Sequence, residues 1–284
     1  MAARLRVLTG AIIWGLCGLA LFVIVAVALA IVVSVVSQGL PAWSWTLLTT
    51  TTSGIAGGLL NSWTGTLALM LLLALMAGPI GVLAGLYVAE FSSRRGALWL
   101  RFATEVLSGI PSIVVGYVIY LAFVVGLGWS FSLLAGGIAL TIMVVPYVVK
   151  STEAALNQVP TSLREGGAAL GLSQRRVLWD VARPIATPGI VTGIVIAEAI
   201  GMGETAPLLY TAGWSNALPT AQLIHRPIGY LTYVVWTYLN EPYNQAHQLA
   251  YSAAGLLIVM LLLLILAGRI ISHRAARYTG RFQT

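Results

Sequence analysis

Two carboxylates lie where a carboxylate is costly. Glu198 and Glu204 are the only charges between Ile185 and Leu208, in an otherwise apolar run. An ionisable side chain at membrane depth costs about 2.5 to 3.5 kcal/mol even on insertion scales, so each must face a bundle interior or a water-filled path. Counting about 1.5 Å per residue from Pro184 predicts that Glu204 lies near the outer end of this run. Gly201-Met202-Gly203 before it and Thr205 and Pro207 after it predict a loosened helix there. A carboxylate does not hold an anion directly. It can hold an arginine, such as Arg226 or one from a partner subunit, or accept a hydrogen bond from a protonated oxyanion. That makes Glu204, Thr205 and Pro207 candidates for an outer gate, whereas Glu198 serves equally well as a hydrogen-bonding group between helices.

Other chemistries find no support. The chain has no Gly-x-x-x-x-Gly-Lys-Ser/Thr loop, and its only lysine, Lys150, follows a hydrophobic run, so ATP hydrolysis is not expected of it. His225, His247 and His273 are scattered without metal-ligand spacing, and the single cysteine, Cys17, reads as a small buried hydrophobe. No nucleophile and base are spaced for catalysis. The expectation is a chain that is not an enzyme, with no cofactor or metal of its own.

The elements that would position these groups are membrane spans. The 284 residues are 59% hydrophobic and 8% charged, against about 25% charged in soluble domains. Mean hydropathy is +0.93, which suits one all-α polytopic membrane domain. Apolar runs predict six transmembrane helices at about 11–36, 62–88, 103–125, 131–149, 185–208 and 249–271. The first run is too long for a signal-peptide core and reads as an uncleaved anchor. The third holds Ser108, Pro111 and Ser112, and a proline there frees a backbone carbonyl that hydroxyls, protein or water must satisfy. Ile228 to Leu239 is too short to span and is expected to lie in the outer interface. Fourteen of the fifteen cations fall on one side of these spans and Arg226 alone on the other, which predicts both termini in the cytoplasm. The net charge of +7 follows from that asymmetry, so no nucleic-acid partner is expected.

One polar interruption, about 160–184, stands out between the fourth and fifth spans. A helix from Leu163 to Leu170, Gly171 as a left-handed terminator, and Ser173 capping a second helix that Pro184 stops make a helix-turn-helix. Glu165, Gly171 six residues on, then Val181 and Pro184 resembles the coupling loop of type I ABC importer permeases. Gly166 and Gly167 stand where that family has two alanines, and Arg183 where it has leucine. Two glycines cost a helix roughly 1 kcal/mol each relative to alanine, which predicts a weakened first helix. Within this family the phosphate-permease branch is the nearest likeness. It is carried by Tyr87-Val88-Ala89-Glu90-Phe91, Leu107-Ser108-Gly109-Ile110-Pro111-Ser112-Ile113-Val114-Val115-Gly116, Thr152-Glu153-Ala154-Ala155-Leu156 and Gly203-Glu204-Thr205-Ala206-Pro207-Leu208-Leu209.

The resemblance implies a MetI-like fold and a permease domain at 62–271, flanked by an N-terminal portion, 1–61, and a basic tail, 272–284. It implies a bacterial plasma-membrane importer with a second permease subunit, a dimeric ATPase that binds ATP-Mg, and an extracytoplasmic phosphate-binding protein. It also implies that Glu165, Gly166, Gly167, Gly171, Arg175, Arg176 and Pro184 couple to the ATPase. Molybdate, tungstate or sulfate is the alternative cargo. A stand-alone secondary transporter would have to rely on Glu198 and Glu204 for coupling and has no use for the helix-turn-helix.

Overall fold

The computed structural model describes residues 2–279, which are almost entirely helical. The side chains of Arg4, Arg6 and Arg277, and the whole of Arg281, lie outside the described residues. The first helix, α1 (Ala2–Gly39), presents apolar side chains outward along its length and touches mainly the last helix, as suits a span bathed in lipid. Cys17 is exposed on this helix rather than buried, because α1 packs along only one edge.

A short α2 (Trp45–Thr49) follows, its first turn capped by Ser44 Oγ accepting from Leu47 N. A two-stranded hairpin, β1 (Thr52–Ser53) and β2 (Ala56–Gly57), is the one sheet among the described residues. Then come α3 (Leu60–Leu86), prolonged by a wide π turn to Phe91, α4 (Arg94–Gly109), and α5 (Ser112–Ile119), prolonged likewise to Gly126. After a turn at Gly128, α6 (Leu133–Asn157) leads into α7 (Thr161–Ala169). The short α8 (Gln174–Arg176) runs through a π turn, Val177–Ala182, directly into α9 (Arg183–Gly203). α10 (Ala206–Thr211), α11 (Leu231–Tyr238) and α12 (Asn244–Thr279) complete the chain.

The core is the α3–α6–α9 bundle, where Leu69, Leu73, Leu140, Val144, Val148 and Ala197 meet. Association in lipid has little hydrophobic drive between helices, so small residues at the crossings let backbones approach closely. Gly81 meets Val148, Gly189 meets Ala155, Gly193 meets Ser151, and Gly201 meets Leu73 and Val144.

These contacts set the depth of each residue. Gly193 lies beside Ser151, next to Lys150, and Val195 lies against Gly268, next to Arg269. The charged boundary at that end of the bundle therefore crosses α9 near residues 193–195. Glu204 is some ten residues further, about 15 Å inward and halfway through a core of about 30 Å. This corrects the expectation of an outer-end position. Counting from Pro184 failed because the helix already stands about 15 Å beyond the boundary there.

Pro184 does not stop the second helix of the loop. Arg183 N donates to Leu178 O, five residues back, and this widened turn gives the proline ring room against the preceding turn, so 174–203 runs as one helix. The third span also differs from expectation. Ile110, extended because it precedes proline, ends α4, and α5 leaves at 98° to it. Among the described residues five helices are long and apolar enough to cross a membrane, and the count reaches six if the bent α4–α5 pair is one broken span. α11 packs one face inward and leaves Trp236 exposed on the other. Leu231 and Val234 are fully buried against Leu59, Ala250 and Ala253, and Leu231 N donates to Thr66 Oγ1 at 3.0 Å.

Candidate functional site

Two separate places concentrate polar chemistry. The first is the loop between α6 and α9. α7 ends in a Schellman turn: Gly171, with φ 75°, donates to Ala168 O at 2.9 Å, and Leu172 N donates to Gly167 O at 3.2 Å. Ser173 occupies the N-cap position of α8 in extended backbone, but its side chain makes no capping bond. The two glycines of α7 differ. A Cβ on Gly166 would meet nothing within 4 Å, whereas one on Gly167 would come within 3.0 Å of Val177 Cγ2, so Gly167 is where α7 and the π turn close on each other.

The loop is tied to the rest of the bundle by one clamp. Arg164 pairs with Glu90 at the end of α3 and also donates to Leu156 O at 2.8 Å, while Gln174 Nε2 donates to Glu90 O at 2.6 Å. The Glu90 side chain is nearly buried. What remains outward is an apolar groove of about 310 Å³ whose lining includes Leu163, Leu170 and Leu172, with Leu170 83% exposed. Asp180 also lines the groove, and Glu165, Arg175 and Arg176 are exposed elsewhere on the same loop.

The second place is at mid-depth. α9 stops at Glu204, whose extended backbone breaks the helix, and α10 restarts behind Thr205, whose carbonyl receives Leu208 N and Leu209 N at 3.1 Å. The break between α4 and α5 lies against it. Ser112 approaches the Glu204 carboxyl group, and a Cβ on Gly116 would fall 2.5 Å from Pro207 Cα, so the two broken helices can meet only through glycine. Thr232 at the start of α11 donates to Glu204 O at 2.9 Å and occupies one carbonyl that the break exposes. Ser108 donates to Thr104 O at 2.7 Å. Ser108, Gly109 and Pro111 are exposed, so this junction opens to one side of the bundle.

Of the residues singled out in the sequence, Glu204, Thr205, Pro207, Pro111 and Ser112 converge here. Ser108 lies one turn further along α4. Glu198 sits a turn and a half before the break, 6% exposed and without an ion partner among the described residues. Arg226 does not come to Glu204. It is exposed, 3.5 Å from Thr220 Oγ1, in a loop pinned at the far end by His225 N donating to Trp129 O. The Glu90–Arg164 clamp was not foreseen, since no local signal joins positions 74 residues apart. No group of three or more metal-ligating side chains occurs among the described residues. His247 Nε2 instead hydrogen-bonds Glu241 O at 2.7 Å.

Residues 81–277 match the family described as binding-protein-dependent transport system inner membrane component. The chain is 48% identical over 272 residues to a protein of Mycobacterium tuberculosis named phosphate transport system permease protein PstA 2, covering 96% of this chain and 90% of that one. A Xylella fastidiosa protein named phosphate transport system permease protein PstA is 37% identical over 83% of each chain. Among solved structures, one of the MetNI methionine ABC transporter superposes with a TM-score of 0.60 at 22% identity, covering 81% of this chain and 96% of that one. At that identity the match speaks to the fold, and the fold it shares is the MetI-like permease bundle.

Proposed function

The chain belongs to the family of binding-protein-dependent transport system inner membrane components, among the PstA phosphate permeases, and we infer that it is the transmembrane permease subunit of an ATP-driven phosphate importer. The observation that carries this is near-half identity to a phosphate permease over almost the whole chain. The chain acts in the membrane as a multi-pass protein, and its partners as a permease include an ATPase and a substrate-binding protein.

The finer reading assigns roles to the two polar places. The groove between Leu163 and Val181 receives a PstB-like ATPase dimer, with Glu165, Arg175 and Arg176 on the same loop and Gly166, Gly167, Gly171 and Pro184 shaping the backbone. ATP-Mg binds in that ATPase and not here. A second permease of the PstC type covers the exposed side of the mid-depth junction, so that the two chains enclose one pathway, and a PstS-like protein delivers phosphate at the end opposite the loop. Both termini and the loop are cytoplasmic in a bacterial plasma membrane, in keeping with the cations gathered at that end. Glu204 and Ser112, with Thr205, Pro207 and Pro111 shaping the breaks, form a constriction halfway along the path. Ser108 lines the path below them, Glu198 supports it from behind, and Arg226 stands at its entrance.

Competition for labelled phosphate uptake by sulfate, molybdate and arsenate, in cells that depend on this chain, tests the cargo. Only arsenate, which shares the shape and charge of phosphate, is expected to compete strongly. Strong competition by molybdate or sulfate would reassign the substrate. Affinity capture of the chain tests the assembly, which should bring down an ATPase and a different six-span permease.

A further inference from the structure

An anion that crosses this bundle passes Glu204, a carboxylate, and must then meet a positive group before it reaches the basic end. Lys150 is the chain's only lysine. It is exposed on α6 at the charged boundary and donates to Ser108 Oγ at 3.4 Å. Glu153 is engaged by Arg101 and Glu90 by Arg164, Glu105 is exposed one turn before Ser108 on α4, and among the described residues no carboxylate lies within 4 Å of the Lys150 ammonium. One turn deeper on the same side of α6, Tyr147 is 39% exposed. From there the exposed Pro111 and the Ser112 beside it continue inward to Glu204. Ser108, Tyr147 and Ser112 are thus polar side chains between Lys150 and the mid-depth junction, which lie about 15 Å apart along the bundle axis.

We propose that Lys150, aimed by Ser108, is the anion-binding cation of the basic half of the path and takes the oxyanion oxygens as they leave the Glu204–Ser112 junction. An ammonium is a compact charge with three donors on a flexible stem, so it can follow a moving oxyanion and let go of it. A hydroxyl partner holds the stem without cancelling the charge, which a carboxylate partner would do. The assignment rests on the reading of these breaks as the lining of the pathway.

The single lysine makes the test direct. In the purified complex of this chain with its ATPase and second permease, an amine-reactive reagent modifies Lys150, and peptide mass spectrometry follows the rate. Inorganic phosphate is expected to slow modification several-fold, with chloride at equal ionic strength leaving it unchanged. In proteoliposomes, Lys150→Met is expected to lower phosphate uptake about tenfold or more, the scale of one lost charge-assisted hydrogen bond, while Lys150→Arg keeps most of it. Equal labelling rates with and without phosphate and likewise with and without molybdate, or full uptake by Lys150→Met, overturn the proposal. If Lys150→Met fails to assemble, the labelling of the unaltered complex decides. Should molybdate protect Lys150 and phosphate not, the anion site stands and the phosphate assignment falls. Should phosphate protect Lys150 while Glu204→Gln transports normally, Lys150 stands and the mid-depth constriction falls.

Discussion

At the scale of single residues, Glu204 and the two glycines of α7 make the sharpest predictions. Glu204→Gln keeps the shape of the side chain and removes its charge. It should leave capture of the ATPase intact while uptake falls about tenfold or more, since hydrogen bonds to a charged group carry about 1.5 to 3 kcal/mol. Normal transport by Glu204→Gln combined with failed assembly of Glu204→Ala would make the residue packing instead. Gly166 and Gly167 look equivalent in the sequence, and the structure separates them. Gly166→Ala adds a methyl into open space and should raise hydrogen-exchange protection of Thr161–Ala169 by up to about 1 kcal/mol. Gly167→Ala must push Val177 aside and should lower it. The weakened first helix expected from two glycines is thus half a matter of fit, because one of them is the contact point of the loop. Glu204 stood out in the sequence by its isolation among apolar neighbours, and the structure places it at a helix break. Its depth was not legible there, because that depends on where α9 begins relative to α6 and α12, which only the crossings at Gly193 and Gly268 reveal.

At the scale of elements, spacing revealed the turn and missed the anchor. Gly171 ends α7 with positive φ as its place in the loop predicted, and Gly171→Val should cost about 1 kcal/mol or more and misdirect α8. Uptake and ATPase capture should both drop at normal membrane abundance, and unchanged uptake would make the loop a linker. Arg164, by contrast, read as one more cytoplasmic cation, yet it clamps the loop to α3 through Glu90. Removing one partner of a largely buried pair costs on the order of 3 kcal/mol. Glu90→Gln should therefore loosen the segment 161–182, seen as faster hydrogen exchange there, and leave ATP hydrolysis running with little phosphate moved. The double exchange Glu90→Arg with Arg164→Glu should restore part of the uptake; equal failure of single and double variants would show the pair to be incidental. The break at Pro111 was legible from proline chemistry. Its 98° angle was not, since α6 and α10 set the direction in which α5 leaves.

At the scale of the whole molecule, the charge asymmetry predicts an orientation that labelling can read. In a Cys17→Ala background, single cysteines at Ser53 and Ala217 should react with an impermeant thiol reagent added outside intact cells, and those at Ser93 and Ser173 should not. All four positions are exposed in the structure, so lack of reaction reports sidedness and not burial, and labelling at Ser173 would invert the topology. The continuity of residues 174–203 has a mechanical side as well. One uninterrupted rod of about 45 Å has the ATPase loop at one end and the mid-depth constriction at the other. It has no loop in between to absorb travel, and its softened sections are the π turn at the loop itself and the turn at Pro188 inside α9. Where the rod crosses α6 it touches through Gly189 on Ala155 and Gly193 on Ser151, small residues that bring the two backbones close. On the proposed reading a push at Gln174 travels toward Glu204 along this one helix, so that the stroke of the engine and the opening of the pore share a single lever.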